Sequence, residues 1–308
     1  MRLCSLALCA LVLSSSCGES GDARPEPADP RAGGSVAAVA GAVHAGADTG
    51  STGPGATEAS AGSEEAPGPA RLRLPPSNGG LDYQLGGAYA PASGVAIVSR
   101  DRTEKPAAGL YNICYVNGFQ AQPGERDFWL QQQPDLILRD KSSKPVIDKD
   151  WNEMLLDVGT DEKRKRLAAI IGGWIAGCAA DGFDAVEVDN LDSYARSGGR
   201  LQSDDAVAFI ALLSRVAHQH KLAIAQKNSS ELVNHKGAMG TDFVVAEECS
   251  LYDECDTYRQ SYGEHVLMIE YEQADFEKGC ASYPNDSVVL RDRDLVGKGR
   301  AGYVFDDC

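Results

Sequence analysis

Positive charge is scarce in this 308-residue chain, which has 29 Lys and Arg against 45 Asp and Glu, for a formal net charge of −16. Nucleic acids and anionic membrane surfaces need a basic footprint on a protein, so the balance argues against both as partners and permits a cationic ligand. The alternative is that the acids serve solubility alone. Long hydrophobic runs are also missing: residues 3–13 are apolar, too few for a membrane-spanning helix of about 20 residues.

The usual metal and nucleotide motifs are absent as well. The five histidines include no His-x-Glu-x-x-His motif, and no Cys-x-x-Cys pair occurs, so zinc is not expected. No Gly-rich nucleotide fingerprint follows the first predicted strand. We therefore expect no cofactor and no metal. One alternative stays open, an oxygen-only Ca²⁺ or Mg²⁺ site among Asp189, Asp192 and Asp253.

The N-terminus has the layout of an export signal. Arg2 precedes the apolar run, and Ser14-Ser15-Ser16 leads directly into Cys17. Residues 1–17 thus resemble a bacterial lipoprotein signal peptide in which Cys17 is lipidated, with ordinary secretory cleavage as the alternative. We expect an exported protein whose only contact with a membrane is a lipid on Cys17. It would lie at the cell surface or on the periplasmic face of the membrane, or otherwise be secreted.

Residues 18–70 are rich in Gly, Ala, Pro and Ser and contain no aromatic residue. Such a segment cannot bury enough apolar surface to offset the entropy of ordering it, so we predict a disordered linker. One domain follows, over residues 71–308.

Short β-rich runs alternate with helical stretches in this domain. Apolar residues at helical spacing predict helices over 161–180, capped by Asp161, and over 204–220, capped within 203–206. Eight strands are predicted, at 81–85, 95–99, 110–116, 185–189, 222–227, 243–247, 266–270 and 288–291. The alternation and the domain length favour a single α/β (β/α)₈ TIM barrel, which typically has about 250 residues. A doubly wound open sheet is the alternative.

Charged side chains gather where these strands end. Glu187 and Asp189 share one face of the fourth strand, and carboxylates within an apolar strand are costly to bury. Glu247 and Glu270 end two later strands, and Lys227 ends another. Catalytic residues of TIM barrels lie at the carboxyl ends of strands. A solvated strand end is the alternative for any one of them. Carboxylates without a Ser or Cys nucleophile motif favour glycoside hydrolysis.

Four segments carry a family resemblance, namely 182–190, 225–228, 246–255 and 269–271. Their order and spacing resemble glycoside hydrolase family 114, whose members are endo-α-1,4-polygalactosaminidases on a TIM barrel. The resemblance runs from about Leu81 to Cys308 and implies that Asp189 and Glu247 are the catalytic pair. Ala246 and Glu248 depart from the Asn and Gln that the family often has beside the second acid, and residues 114–120 depart as well. Glu248 is therefore an alternative acid, although strand alternation turns it away from Glu247.

We therefore predict a retaining endo-glycosidase of α-1,4-linked galactosamine polymer, with Asp189 as nucleophile and Glu247 as general acid/base. The acidic charge predicts a cationic, partly deacetylated polysaccharide. A catalytically weak glycan-binding lipoprotein on the same barrel is the alternative, and we expect a monomer. The predicted substrate-binding residues are Glu187, Lys227, Glu270, Tyr115, Tyr194, Tyr271, Asp192 and Asn190. The tyrosines are expected to stack on sugars, and Glu270 and Asp192 to pair with a sugar ammonium.

Six of the nine cysteines lie in the predicted domain. In an exported protein we expect disulfides. The expected pairs are Cys249–Cys255, Cys280–Cys308 and Cys114–Cys178. The first would hold the loop after Glu247, and the second would fix the C-terminal segment. The third follows by elimination, with buried free thiols as its alternative.

Overall fold

The computed structural model describes residues 72–308. The predicted signal peptide of residues 1–17, the lipidation site at Cys17 and the linker of residues 18–70 lie outside the described residues. Within the described part of the chain, no helix combines the length and the apolar character that crossing a membrane requires.

Nine strands form the main sheet, and the first eight run parallel. In sheet order they are β1 (Gly80–Gln84), β2 (Val95–Asp101), β3 (Tyr111–Asn117), β7 (Ala185–Asp189), β8 (Ala223–Lys227), β9 (Phe243–Glu247), β10 (Val266–Glu270), β11 (Ser287–Arg291) and the antiparallel β12 (Phe305–Asp307). The eight parallel strands are the eight predicted ones. They curl into a nearly closed barrel in which β1 lies against β11. The barrel prediction is confirmed, and the doubly wound alternative is wrong because such a sheet keeps its edge strands apart.

The seam between β1 and β11 is closed by loops and side chains. Arg291 faces Asp82 across it, with Nη1 and Oδ1 3.8 Å apart. Gly86, just after β1, forms a parallel bridge with Val296, after β11. A Cβ on Gly86 would lie 2.1 Å from the carbonyl oxygen of Leu295, so only glycine allows this close approach of the two backbones.

Helices cover the outside of the barrel. They are α1 (Arg126–Gln132), α2 (Asp161–Asp181), α3 (Ser193–Arg196), α4 (Ser203–Gln219), α5 (Lys236–Met239), α6 (Cys255–Tyr262) and α7 (Gln273–Ser282), with 3₁₀ turns at Pro123–Glu125, Pro134–Leu136 and Ser230–His235. The crossovers after β1 and β2 are loops without a described helix. Residues 85–94 and 102–110 are too short for the dozen or more residues that a helical crossover needs.

The N-cap of each predicted helix lies one residue before the expected position. Thr160 caps α2, and its hydroxyl accepts a hydrogen bond from the Lys163 N–H at 3.3 Å. Gln202 caps α4 in a capping box with Asp205, which accepts from the Gln202 N–H at 2.9 Å. Asp161 therefore lies in the first turn, where its negative charge suits the positive end of the helix dipole.

A small antiparallel sheet that the sequence did not predict is inserted between β3 and α2. It consists of β4 (Gln120–Ala121), β6 (Glu153–Leu155) and β5 (Ile147–Asp148), in that order. Strands of two or three residues are too short to show alternation. The turn joining β5 to β6 passes through Asn152, which has a positive φ of 55°, and places Trp151 and Glu153 at the mouth of the barrel.

Strand alternation separates two apolar layers and decides which side chains enter the barrel. Ala185 on β7 and Val245 on β9 belong to the interior cluster, whereas Val186 and Val188 pack outward against α2 and α4. Glu187 and Asp189 have the parity of Ala185, so both point inward.

The structure joins Cys114 to Cys178, Cys249 to Cys255 and Cys280 to Cys308. These are the three pairings expected from the sequence, so the alternative that Cys114 and Cys178 are free thiols is wrong. The first bond ties α2 to β3, the second encloses the loop between β9 and α6, and the third ties the segment after β12 to α7.

Candidate active site

One buried ammonium organises the centre of the site. The side chain of Lys227, at the carboxyl end of β8, is only 3% exposed. Its Nζ lies 2.9 Å from Glu187 Oε1 and 3.1 Å from Asp189 Oδ1. The same atom lies 3.2 Å from Glu247 Oε2. Burial favours a neutral lysine, but the three carboxylates outweigh it and raise the pKa of Lys227 well above its ordinary value.

Glu187 lies beneath the site and not in it. The residue is fully buried, Oε1 also accepts from the Tyr83 hydroxyl at 2.5 Å, and Oε2 accepts from Ser99 Oγ at 3.1 Å. Burial raises the pKa of Glu187 even though Lys227 opposes the shift. Glu187 was expected to bind substrate, but the structure buries its side chain below the site. Its carboxyl supports Lys227 from below.

Asp189 is the last residue of β7, and each of its two carboxylate oxygens accepts a hydrogen bond from a different side chain. Lys227 holds Oδ1, and the Tyr115 hydroxyl donates to Oδ2 at 2.6 Å. Burial opposes ionisation, but Lys227 and Tyr115 together outweigh it, so the pKa of Asp189 falls below its ordinary value. The group is thus an ionised carboxylate at neutral pH.

Glu247 ends β9 and is positioned from two sides. The Tyr271 hydroxyl donates to Oε1, and Asn228 Nδ2 donates to Oε2 at 3.0 Å. The Glu247 backbone N–H in turn donates to Asn228 Oδ1 at 2.8 Å. Asn228 was not among the predicted site residues. It follows Lys227 directly and has a positive φ of 48°, a conformation that asparagine tolerates better than most residues.

The two predicted catalytic carboxylates are close together. Because Lys227 bonds both, Asp189 Oδ1 and Glu247 Oε2 are at most about 6.3 Å apart, the 3.1 Å and 3.2 Å contacts laid end to end. Retaining glycosidases have carboxyl groups about 5–5.5 Å apart and inverting ones about 6.5–9.5 Å. The limit favours the shorter class.

Both carboxylates line a cavity of about 330 Å³ at the carboxyl ends of the strands. Of the predicted residues, those that line it are Asp189, Glu247, Lys227, Tyr115, Tyr271, Asn190 and Asp192. The acidic lining residues are Asp101, Glu153, Asp189, Asp192, Glu247 and Asp294, and the basic ones are Lys227, Arg196 and Arg293. The cavity therefore concentrates negative charge, as the composition alone could not show.

Two further predicted binding residues do not line this cavity. Glu270 is fully buried on the outer face of β10, where Oε1 accepts from the Ser250 N–H at 2.8 Å; burial raises its pKa. Tyr194 packs on the outer core and donates to Glu231. The structure therefore does not bring either of these predicted binding residues to the cavity. The inward side chain at the end of β10 is that of Tyr271, one residue later.

The remaining acids that the sequence offered have other partners. Glu248 has a positive φ of 56° and forms a bidentate pair with Arg293, at 2.6 and 3.1 Å, so it is not an alternative acid facing the cavity. The alternative Ca²⁺ or Mg²⁺ ligands do not converge in the described structure. Asp189, Asp192 and Asp253 each pair with a different basic side chain, namely Lys227, Arg196 and Lys278.

Trp151 and Glu153 are cavity residues that the sequence analysis missed. They belong to the inserted sheet, whose short strands gave no pattern. Burial, with nearby Asp189 and Asp148, raises the pKa of Glu153 to about 7 although Asn117 donates to it.

A parallel α/β barrel with paired carboxylates at the carboxyl ends of its strands is the arrangement of a glycoside hydrolase. The model of glycoside-hydrolase family GH114 matches residues 62–308. The chain belongs to this family and is a glycoside hydrolase. No curated protein matches the chain.

Two solved structures show the same fold. Ega3 of Aspergillus fumigatus, in complex with galactosamine, shares 22% identity with a TM-score of 0.62, over 78% of this chain and 100% of that one. The glycoside hydrolase domain of PelA from Pseudomonas aeruginosa shares 15% identity with a TM-score of 0.52, over 72% of this chain and 98% of that one. At these identities the likeness shows the barrel.

Proposed function

We propose that the chain is a retaining endo-glycosidase of α-1,4-linked, galactosamine-containing polysaccharide. The observation that carries the proposal is the contact of one ammonium, Lys227, with the carboxylates of both Asp189 and Glu247. This contact keeps the two acids closer together than the roughly 6.5–9.5 Å of an inverting pair, which supports a nucleophile and an acid/base.

In the proposed reaction, an oxygen of Asp189 attacks the anomeric carbon and forms a covalent glycosyl–enzyme bond. The glycosidic C–O bond breaks as Glu247 gives its proton to the leaving oxygen. Glu247 then takes a proton from water, whose oxygen attacks the anomeric carbon and releases Asp189. Lys227 and Tyr115 keep Asp189 ionised for the first step, and Tyr271 and Asn228 hold Glu247 beside it.

The excess of carboxylates in the cavity supports a cationic substrate. Asp189 and Asp192 are already paired with Lys227 and Arg196, whereas Asp294 is exposed at the cavity rim. Deacetylated galactosamine carries a 2-ammonium that such a surface attracts. The solved Ega3 barrel is in complex with galactosamine, which supports the same class of sugar.

Substituting the two acids tests the assignment. We expect Asp189→Asn and Glu247→Gln each to lower the rate by at least about 10²-fold, measured as reducing ends released from partly deacetylated α-1,4-galactosaminoglycan. The anomer released by wild type, followed by NMR, should first be α. Glu277→Gln on the exposed face of α7 is the matched control. Near-normal rates in either variant, or a β-anomer, contradict the assignment. Binding of the polymer by wild type without cleavage would favour the glycan-binding alternative.

We also propose that residues 1–17 are a lipoprotein signal, that Cys17 carries lipid and that residues 18–70 link it to the domain of residues 71–308. The order of apolar run, serines and cysteine supports this. In a bacterial host, the full chain should incorporate a labelled fatty acid and fractionate with membranes, and Cys17→Ala should do neither. An unlabelled, secreted wild-type protein would instead indicate ordinary cleavage.

A further inference from the structure

The β5–β6 turn presents an unusually exposed aromatic side chain to the catalytic cavity. Trp151 is 60% exposed and is the most exposed of the large hydrophobic residues in the described chain. It lines the same cavity as Asp189 and Glu247. Because it lies in the cavity wall, this indole offers an apolar face that a ligand in the cavity can cover. The apolar C–H face of a pyranose ring is such a ligand.

Glu153, two residues further on, brings a carboxyl group with a free oxygen into that cavity. The residue is 9% exposed. Asn117 Nδ2 donates to its Oε2 at 2.8 Å. No group of residues 72–308 donates a hydrogen bond to the other oxygen. A buried carboxylate that has only one neutral donor lacks the charged partner that normally accompanies it.

The groups that face Glu153 do not supply this missing cation. Asn117 of β3 is neutral, and Tyr115 of the same strand gives its hydroxyl hydrogen to Asp189. The charged neighbours are acids: Asp189 of β7, Asp148 of β5 and Glu125 just before α1. The nearby basic side chains are already paired: Arg102 with Glu125, Arg196 with Asp148 and Asp192, and Lys227 with Asp189 and Glu247. Burial and these acids hold the pKa of Glu153 near 7. A bound cation would supply the positive charge that Glu153 lacks among these neighbours.

We propose that Trp151 and Glu153 form a subsite for one amino-sugar unit of the substrate, beside the catalytic pair. The indole covers the C–H face of the pyranose, and the free oxygen of Glu153 accepts a hydrogen bond from the 2-ammonium. This inference rests on the proposed function and adds a selectivity to it. A free amine brings both the positive charge and the donor, whereas an N-acetyl group brings no charge and adds bulk at the same position.

The test compares fully deacetylated and fully N-acetylated α-1,4-galactosamine oligomers. In the full chain, Glu153→Gln should lower kcat/KM on the deacetylated oligomer about 10- to 100-fold, the range for a lost hydrogen bond to a charged group. It should change kcat/KM on the acetylated oligomer less than about threefold. Trp151→Ala should raise KM for both oligomers, and Trp151→Phe should restore much of the loss. Glu277→Gln, the same charge change outside the cavity, controls for net charge.

The pH dependence gives a second readout. In wild type, KM for the deacetylated oligomer should rise as the pH falls below about 7, because Glu153 gains a proton there. Glu153→Gln should remove that rise. An equal loss on both oligomers, with the pH dependence intact, would show a structural role and overturn the proposal.

Binding separates the failure of this inference from the failure of the proposed function. Calorimetric titration with galactosamine oligomer measures the subsite even if the protein cleaves neither polymer. The proposal requires that wild type bind this oligomer at least about tenfold more tightly than Glu153→Gln. Equal affinities overturn it, whatever the activity.

Discussion

Lys227 balances the charge of three acids within one barrel. Without its ammonium, Glu187 would lie fully buried beside Asp189 with no positive charge to balance either group. The lysine therefore has two effects: it stabilises the fold beneath the cavity, and it keeps Asp189 ionised.

Glu153 costs stability where it serves binding. Its pKa rises from an ordinary 4.5 to about 7 in the folded protein, so the folded state holds the proton more tightly than the unfolded state. Proton binding by Glu153 therefore stabilises the folded state fully below pH 4.5, and this stabilisation is lost as the pH rises through about 7. We therefore expect Glu153→Gln to be more stable than wild type at pH 8, by up to about 3 kcal/mol. At pH 4 the two should unfold alike. Denaturant titrations at both values check this, and a variant less stable than wild type at pH 8 would contradict it.

Arg293 is linked to Glu247 by contacts through Tyr271. Its guanidinium lies 4.8 Å from the ring centroid while it holds Glu248, and the Tyr271 hydroxyl donates to Glu247. We expect Arg293→Met to lower kcat about fivefold, equivalent to about 1 kcal/mol. The melting temperature should hardly change because the Arg293 side chain is 56% exposed.

Tyr271→Phe provides the control for this coupling. If Arg293 works only through Tyr271, adding Arg293→Met to Tyr271→Phe should cause no further loss of kcat. Additive losses would show that Arg293 contacts the substrate by itself.

At the scale of the element, the prediction was accurate wherever the two faces of a strand differ in polarity. On β7, valines alternate with Glu187 and Asp189, so the inward face was readable. On β10, Val266 and Met268 are as apolar as the residues between them, and the pattern gives no parity. Glu270 was therefore assigned to the cavity although it lies on the outer face.

The inserted sheet could not be predicted for a different reason. Its strands of two or three residues depend on contacts with the barrel, as when Asn117 donates to Glu153. Contacts of this kind cannot be predicted from the residues of the short strands alone. The Asp189–Glu247 pair was predictable because both residues end strands of five residues, whereas Trp151 lies in a turn and Glu153 begins a strand of only three residues.

The disulfides should separate stability from activity. Cys249–Cys255 spans 6 positions and Cys114–Cys178 spans 64, which by chain entropy correspond to about 2 and 4 kcal/mol of stabilisation. We expect Cys249→Ser with Cys255→Ser to reduce kcat more than it reduces the melting temperature, because the loop follows Glu247. Cys114→Ser with Cys178→Ser should do the reverse. Mass mapping that found Cys249 and Cys255 free in the exported protein would remove the basis of the first expectation.

At the scale of the whole molecule, the charge of −16 should act through the cavity. The Debye length shrinks from about 10 Å at 0.1 M salt to about 3 Å at 1 M, so attraction of a cationic polymer weakens. We expect kcat/KM on deacetylated polymer to fall steeply over this range. On fully acetylated polymer, activity should be low and nearly independent of salt. Equal rates on the two polymers at low salt would mean that the acids serve only solubility.

The seam between β1 and β11 also has a kinetic consequence. The seam joins the first and last parallel strands of the barrel, β1 and β11. All the chain between these strands must be closed into a loop when they meet, so we expect this step to be among the slow events of folding. Gly86 and Leu295, which meet at the seam, are also walls of the catalytic cavity. During refolding, helical circular dichroism should therefore return before hydrolysis does, because the cavity has no complete wall until the most distant strands have met.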